Sequence, residues 1–331
     1  MTLASIPCAV IPILGFLWFV WWLDRYDREP LWLFLLVFAW GALGAVLLSV
    51  VGSGVLAVPL GVFAPQGTAH VLSMTFLAPL VEEPAKAVIL LVVVRSRHFD
   101  NITDGFVYGA AAGLGFGMSE NILYFLKVAA TGDPTAWALT VMVRTLYSAL
   151  LHAGATSLVG AALGIAKFRR GALGTLLLAA GFAAAMGMHA LWNGLLSLAQ
   201  DGAGGLGILN FFLFPLEFGL LVAVFQLCLV WEHRLIRREL ADEALRGTLP
   251  REHVDMLSSY LLRWRRDWLP PGVDHHQYIH GATTLALRKS QLSSGQEPLF
   301  YTAEIERLRG EIRSLLLAGG LDPSLKNTQR W

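Results

Sequence analysis

Apolar runs long enough to cross a bilayer recur from the N-terminus to about Trp231, and short polar segments separate them. Seven such runs predict an all-α, polytopic helical membrane protein. The predicted spans are Ser5–Leu23, Leu31–Val51, Ala69–Val94, Gly105–Val128, Trp137–Lys167, Ala172–Leu198 and Gly207–Trp231. The stretch Val51–Phe63 is apolar but rich in Gly and Pro, so it either lengthens the second span or forms a re-entrant piece.

Composition supports this class, because 55% of the residues are hydrophobic, only 15% are charged and the mean hydropathy is +0.57. The first twelve residues contain no Lys or Arg and therefore lack the basic region of a signal peptide. We expect the first apolar run to be a retained span. The formal net charge of +1 carries no information about partners, and no nucleic-acid partner is predicted.

Basic residues lie in alternate loops, which predicts the orientation in the membrane. The opposite loops hold almost only Lys127. Because cytoplasmic loops are enriched in Lys and Arg, we expect the N-terminus outside and the C-terminal region in the cytoplasm. The basic positions are Arg25, Arg28, Arg95, Arg97, Lys167, Arg169, Arg170, Arg234, Arg237 and Arg238.

The composition changes abruptly at His233, after which several segments show the spacing of amphipathic helices. This pattern predicts a membrane domain over residues 1–232 and a small helical cytoplasmic domain over residues 233–331. Three histidines in the second domain suggest a metal cluster, but solvated loop and helix-cap positions are the favoured interpretation. They are His275, His276 and His280.

The third predicted span carries Glu82, Glu83 and Lys86 among apolar residues. A central Asp, Lys or Arg costs about 2.5–3.5 kcal/mol on an insertion scale, so such groups in a span indicate function. Lys86 lies one helical turn from both acids and can pair with either. A structural ion pair therefore explains one acid and leaves the second without a partner. Pro84 removes a backbone donor beside them.

The fourth span repeats glycine every fourth residue, at Gly109, Gly113 and Gly117. Such a face lets a neighbouring helix approach closely. Glu120 and Asn121 follow, toward the outer half of the span. They are either part of a site or the polar end of a packing helix.

Imidazoles appear on the next two spans, as His152 and as His189 with Asn193 one turn later on the same face. At about 1.5 Å per residue, both histidines and the acids of the third span lie within roughly 10 Å of mid-bilayer. These groups are those of a hydrated cavity with a general base, an oxyanion donor and ligands for Zn²⁺. The candidate metal ligands are Glu120, His152 and His189.

Two further intramembrane charges are assigned no catalytic role. Arg144 in the fifth span and Glu217 in the seventh are expected to neutralise each other or to lie near headgroups.

Together these motifs resemble the PrsW family of bacterial intramembrane proteases, which is distantly related to the type II CAAX prenyl endopeptidases. The resemblance covers roughly residues 15–232. Each motif is weak alone, but four in the right order are fairly specific. The four motifs are Glu82-Glu83-Pro84-Ala85-Lys86, Phe116-x-x-x-Glu120-Asn121, His152 and His189-x-x-x-Asn193. The loop from Asp24 to Pro30 also resembles the family.

The resemblance implies hydrolysis of a peptide bond in a membrane-anchored protein, such as a single-pass anti-sigma factor, at the bacterial plasma membrane. It makes Glu82 and Glu83 the essential acids, and His152 and His189 the essential imidazoles. The remaining roles implied are an amide at Asn193 and supporting positions at Lys86 and Asn121.

The CAAX relatives usually have His at the position of Glu120 and Arg at the position of Lys86. These differences favour a PrsW-type protease over a prenyl-protein endopeptidase. The resemblance leaves open whether a metal or only a glutamate activates the water. It also leaves open which of Glu82 and Glu83 is the base.

Two other functions compete with proteolysis. Intramembrane Glu, Lys and His also form proton relays, so a proton-coupled transporter is the main alternative. A carrier more often has internal repeats with paired broken helices, and the two halves of this chain contain no matching motif. A signalling protein with a decayed site is the second alternative, although every motif position is filled.

Overall fold

The computed structural model describes residues 1–24, 26–63, 65–169, 171–200, 204–265, 267–295 and 298–323. These residues form helices and connecting turns, without a β-strand in any of the ranges given. The chain divides into two compact units. The first comprises Met1–Asp24 and Glu29–Gln226, and the second comprises Arg25–Arg28 and Leu227–Trp331.

Within these described ranges, seven long helices occupy the positions of the predicted spans. They are α1 (Thr2–Leu23), α2 (Leu31–Phe63), α3 (residues 66–93), α4 (Ile102–Ala129), α5 (Pro134–Phe168), α6 (Ala172–Gln200) and α7 (Gly204–Leu245). Three shorter helices follow in the second unit. They are α8 (Arg251–Ser258), α9 (His275–Ser293) and α10 (Pro298–Ala318).

Five of the described helices are long and apolar enough to cross a membrane by composition alone, namely α1, α2, α5, α6 and α7. The other two long helices, α3 and α4, carry most of the ionisable residues predicted for the site. The protein is thus a polytopic helical membrane protein, as predicted.

Two predicted boundaries change in the structure. The stretch Val51–Phe63 continues α2, so it lengthens the second span and is not a re-entrant piece. Helix α7 runs past the predicted end at Trp231 to Leu245, because the charged residues that follow are good helix formers. It ends where Gly247 adopts a φ of 71° and the Thr248 amide donates to the carbonyl of Glu243.

Three of the long helices contain a π-helical segment that the apolar pattern did not predict. The segments are Trp40–Ala45 in α2, Ser73–Leu77 in α3 and Arg144–Ser148 in α5. A π-helical turn adds one residue to the helical repeat and often marks a functional site.

Helix α4 lies at the centre of the first unit and packs most extensively on α5. A Cβ atom at Gly109 would overlap the carbonyl oxygen of Thr156, and one at Gly113 would overlap that of His152. At Gly117 the nearest atom would be the Cα of Ala149, at 3.2 Å. The predicted glycine face therefore binds a neighbouring helix, and that helix carries His152.

The second unit has its own apolar core, formed by buried residues of α7, α8, α9 and α10. Tyr26 joins this core and donates a hydrogen bond from its hydroxyl to the carbonyl of Ser258 at 2.9 Å. Glu243 is buried in this unit. Burial alone would raise the pKa of its carboxyl group, but hydrogen bonds from Arg309, Lys289 and Thr248 have the larger effect and lower the pKa to about 2.

The candidate metal-cluster histidines of the second unit, His275, His276 and His280, are three of its five histidines, and the contacts of two of them are those of ordinary polar positions. His275 opens α9, and its Nε2 lies 2.9 Å from the carbonyl oxygen of Arg265. His280 is exposed, with Nδ1 3.6 Å from the carboxylate of Asp27. These contacts fit the interpretation of helix-start and surface histidines.

The glycine contact predicts that Gly113→Ala destabilises the protein. The added methyl group must separate α4 from α5, which should lower Tm by about 3–10 °C. Gly219→Ala is the matched control, because a Cβ there has no other atom within 4 Å. Thermal unfolding in mild detergent measures both variants, and equal Tm values would contradict the close packing.

Candidate active site

The structure brings the predicted ionisable residues of four helices together inside the first unit. Helix α3 contributes two acids and a lysine, α4 an acid, and α5 and α6 one imidazole each. The side chains that meet are Glu82, Glu83, Lys86, Glu120, His152 and His189.

Glu83 is fully buried and is held by three donors. The Lys86 ammonium donates at 2.7 Å, His189 Nδ1 lies at 2.9 Å, and the Thr156 hydroxyl donates at 3.1 Å. A buried carboxylate stays ionised when a cation and hydrogen bonds compensate for lost water. Glu83 is therefore a fixed anion that orients the groups around it.

Glu82 is placed differently, although it is the adjacent residue. Its Oε2 lies 3.8 Å from both Lys86 Nζ and His189 Nε2, beyond hydrogen-bond distance. This oxygen is buried and accepts no hydrogen bond from the described part of the chain. Lys86 therefore donates its hydrogen bond to Glu83, and Glu82 remains at a longer ion-pair distance from the same ammonium.

His152 connects the lysine of α3 with the acid of α4. Its Nδ1 lies 3.0 Å from Lys86 Nζ, and its Nε2 lies 2.7 Å from Glu120 Oε2. An ammonium can only donate, so Nδ1 accepts and Nε2 carries the hydrogen given to Glu120. The ring also meets that of His189 edge-on, at 4.9 Å between centroids.

Arg144 pairs with Glu120, at 2.8 Å between Nη2 and the carboxylate. Asn121 Oδ1 accepts from the same guanidinium at 3.0 Å, which gives this supporting residue a defined contact. Of the two alternatives for Arg144 and Glu217, mutual neutralisation is therefore wrong. Arg144 opens the π-helical segment of α5, which turns it toward α4, and both Glu217 oxygens lack a donor among the described residues.

Asn193 lies one turn after His189, but its amide contacts the backbone of α3. The Nδ2 group donates to the carbonyl of Met74 at 3.1 Å, within a π-helical segment. Trp40, in another such segment, donates to the carbonyl of Ala85 at 3.1 Å. The irregular turns of α2 and α3 thus support the helix that carries the acids.

Sequence reasoning missed Thr156 and the contact between Arg144 and Glu120. Thr156 follows His152 by four residues and therefore shares its helix face, which was a usable signal. Arg144 gave no such signal, because its direction depends on the π-helical turn.

The charges in the site do not cancel. Three carboxylates face the two basic side chains Lys86 and Arg144, so the cluster carries one net negative charge when both imidazoles are neutral. A buried net charge is costly in the membrane interior, which favours a bound proton or cation at the site.

Glu82, His152 and His189 each offer a ligand atom, and these atoms lie within 4.8 Å of one another. Two imidazoles and one carboxylate match the ligands of many catalytic zinc sites. Glu83 accepts from His189 Nδ1, which leaves Nε2 to bind a metal. Together with the buried, unbonded Oε2 of Glu82, these residues fit a divalent metal. Glu120, predicted from sequence as a ligand, contacts His152 Nε2.

Comparison with known proteins identifies the family. The family described as "PrsW family intramembrane metalloprotease" matches residues 29–228. The protein named Protease PrsW from Clostridioides difficile is 35% identical over 36% of this chain and 49% of its own length. This chain therefore spans only about half of that relative.

Two further proteins named Protease PrsW match a larger share of this chain. The protein from Geobacillus kaustophilus is 35% identical over 49% of this chain and 67% of its own length. The one from Bacillus subtilis is 32% identical over 50% of this chain and 70% of its own length. No solved structure matches this chain. Because the matched region contains all the residues of the site, this chain belongs to the PrsW family of intramembrane metalloproteases, a family of membrane-embedded hydrolases.

Proposed function

We propose that this protein is an intramembrane endopeptidase that hydrolyses a peptide bond of a membrane-anchored protein. One observation supports this most: among the clustered groups, the buried oxygen of Glu82 has no hydrogen-bond donor in the described chain. A buried ionisable oxygen without a hydrogen-bond donor inside a membrane protein is costly unless a reactant or ligand uses it.

In this proposal Glu82 acts on the reacting water, and Glu83 positions the groups around it. The Glu82 side chain keeps 14% of its surface exposed, whereas that of Glu83 keeps none. Glu83 holds His189 so that Nε2 faces the oxygen of Glu82. Glu82 is thus the better candidate for the general base, because Glu83 already accepts three hydrogen bonds.

In the same proposal, His152 transfers protons and Asn193 stabilises the oxyanion. His152 contacts both Lys86 and Glu120, so it can pass a proton between the basic and acidic sides of the site. One hydrogen of the Asn193 amide goes to Met74, and the second remains for the oxyanion of the tetrahedral intermediate.

We propose Glu82, His152 and His189 as the ligands if the enzyme uses a metal, with Zn²⁺ as the first metal to test. A bound Zn²⁺ would supply Lewis-acid polarisation of the scissile carbonyl. A mechanism without metal needs only the base, the imidazoles and the amide described above.

We further propose a single-pass anti-sigma factor as substrate and the bacterial plasma membrane as location. The basic loops support an outside N-terminus, a membrane domain over residues 1–232 and a cytoplasmic domain over residues 233–331. Transport by a proton relay is the competing function, and membership of a protease family favours hydrolysis over it.

Glu82→Gln should lower kcat for a single-pass substrate by at least about 1,000-fold and leave Tm within about 2 °C, because its free oxygen makes no hydrogen bond. Glu83→Gln should lower both activity and Tm, because it removes the carboxylate charge closest to the buried Lys86 ammonium. The assay follows cleavage in vesicles containing an anti-sigma factor and a panel of unrelated single-pass proteins.

Glu252→Gln, at an exposed position of the second unit, is the control for these variants. Undiminished cleavage by Glu82→Gln would overturn its role. Proton-coupled uptake by vesicles in which no panel protein is cut would favour the transporter.

Metal analysis tests the ligand set without a substrate. Elemental mass spectrometry of the purified protein should find about one zinc per chain, lost in Glu82→Ala and His189→Ala but kept in the exposed control His70→Ala. Loss in Glu120→Ala with retention in Glu82→Ala would support the ligands predicted from sequence instead. A metal-free wild type that cleaves would establish the glutamate mechanism.

Reporter fusions test the orientation. A fluorescent protein fused after residue 331 should fluoresce, and alkaline phosphatase fused there should be inactive, because the C-terminus is proposed to be cytoplasmic. The reverse result would overturn the proposed orientation without affecting the site.

A further inference from the structure

A second cluster of acids lies in the first unit and is not part of the proposed active site. Asp24 and Glu29 belong to the connection between α1 and α2, and Asp104 lies in the first turn of α4. Each offers one carboxylate oxygen, and these oxygens lie within 4.8 Å of one another. The three residues keep only 1%, 4% and 1% of their surfaces exposed.

Local hydrogen bonds fix the direction of each carboxylate. Asp104 Oδ2 accepts from the amides of Asp100 and Asn101, at 2.6 and 2.9 Å, in the capping box that begins α4. The Glu29 amide donates to Asp24 Oδ2 at 3.3 Å. Carboxylates held by the backbone are pre-organised, so a ligand binding there pays little for ordering them.

Glu29 adds an observation that is independent of the clustering. Its Oε2 accepts a hydrogen bond from the Tyr108 hydroxyl at 2.5 Å, which orients the side chain. Its Oε1 is buried and accepts no hydrogen bond from any described residue. A buried carboxylate oxygen without a donor, on a side chain that clusters with two other carboxylates, needs a cation or a proton.

We propose that Asp24, Glu29 and Asp104 bind a hard divalent cation of the Ca²⁺ or Mg²⁺ class. Carboxylate oxygens are the ligands these ions prefer, and no imidazole or thiol belongs to this ligand group. The site is thus chemically distinct from the histidine-containing site at Glu82, and it does not depend on the proposed peptidase activity.

The cation would tie the α1–α2 connection to the first turn of α4. Helix α4 carries Glu120 and packs on the helix that carries His152, so the ion stabilises the scaffold of the active site and takes no part in the reaction. Trp21 supports the same connection, since its indole donates to the carbonyl of Glu29 at 3.0 Å.

Terbium luminescence tests the site directly. Tb³⁺ binds at oxygen-ligand sites in place of Ca²⁺, and Tyr108 and Trp21 are close enough to Glu29 to sensitise its emission. In chelator-treated protein, Tb³⁺ emission should saturate and be displaced by Ca²⁺ or Mg²⁺. Glu29→Gln should weaken Tb³⁺ binding by at least about 10-fold, and Glu252→Gln, at an exposed position, should leave it unchanged.

Thermal unfolding gives a second measurement. The cation at about 100 times its Kd should raise the Tm of the wild type by roughly 5–10 °C. The same rise should occur in His189→Ala, which lacks a ligand of the other site, and should be absent in Glu29→Gln. Failure of the proposed peptidase would leave these results unchanged.

Two outcomes overturn the proposal. One is a wild type that neither binds Tb³⁺ nor responds to Ca²⁺ or Mg²⁺. The other is Tb³⁺ binding by the wild type that Glu29→Gln leaves unchanged, which would show that the ion binds elsewhere. If Glu29→Gln does not fold, Tb³⁺ displacement in the wild type still decides the question.

Discussion

The close contact between α4 and α5 is the constraint on which the site depends. Gly105 and Gly160 are reciprocal, since a Cβ on either would overlap the carbonyl oxygen of the other. Backbone contact of this kind fixes the relative height of two helices as well as their distance. It sets His152 opposite Gly113, so that its imidazole reaches Glu120 on the next turns of α4. A larger residue on the glycine face of α4 would push α5 away and so displace the His152 imidazole, even though the new side chain would contact only backbone atoms.

Within that frame, the two adjacent acids have different surroundings because a helix turns by about 100° per residue. Glu83 faces Lys86, His189 and Thr156, whereas Glu82 faces partly exposed space. A single acid at this place could not both neutralise Lys86 and keep an oxygen available to act on the reacting water. With two acids, one holds the buried cation and orients an imidazole, and the other keeps a free oxygen.

Sequence patterns were sufficient wherever the regular helical period applies. The apolar runs predicted the long helices of the described chain, and the glycine repeat predicted the close contact. The one-turn spacing predicted an ion pair of Lys86 with either acid, and the closer pair is with Glu83. Prediction failed where the period is interrupted. The π-helical segment at Arg144–Ser148 shifts the facing of Arg144, so its pairing with Glu120 could not be read from regular spacing. Asn193 binding Met74 likewise involves a carbonyl in a π-helical segment.

His152 belongs to both candidate ligand sets for this site. The sequence predicts it together with Glu120 and His189, and the structure groups it with Glu82 and His189. Its Nδ1 accepts from Lys86, so only Nε2 remains for a metal, and that nitrogen now donates to Glu120. Nε2 cannot donate and ligate at once, so a metal held by Glu82, His189 and His152 would require the Nε2 hydrogen to pass to Glu120 and Nδ1 to take a proton from Lys86, which keeps the imidazole neutral. Arg144 favours an ionised Glu120 and thereby opposes transfer of that proton to it. The ion pair between Arg144 on α5 and Glu120 on α4 would therefore oppose metal binding by His152, so a contact outside the proposed ligand set would influence metal affinity.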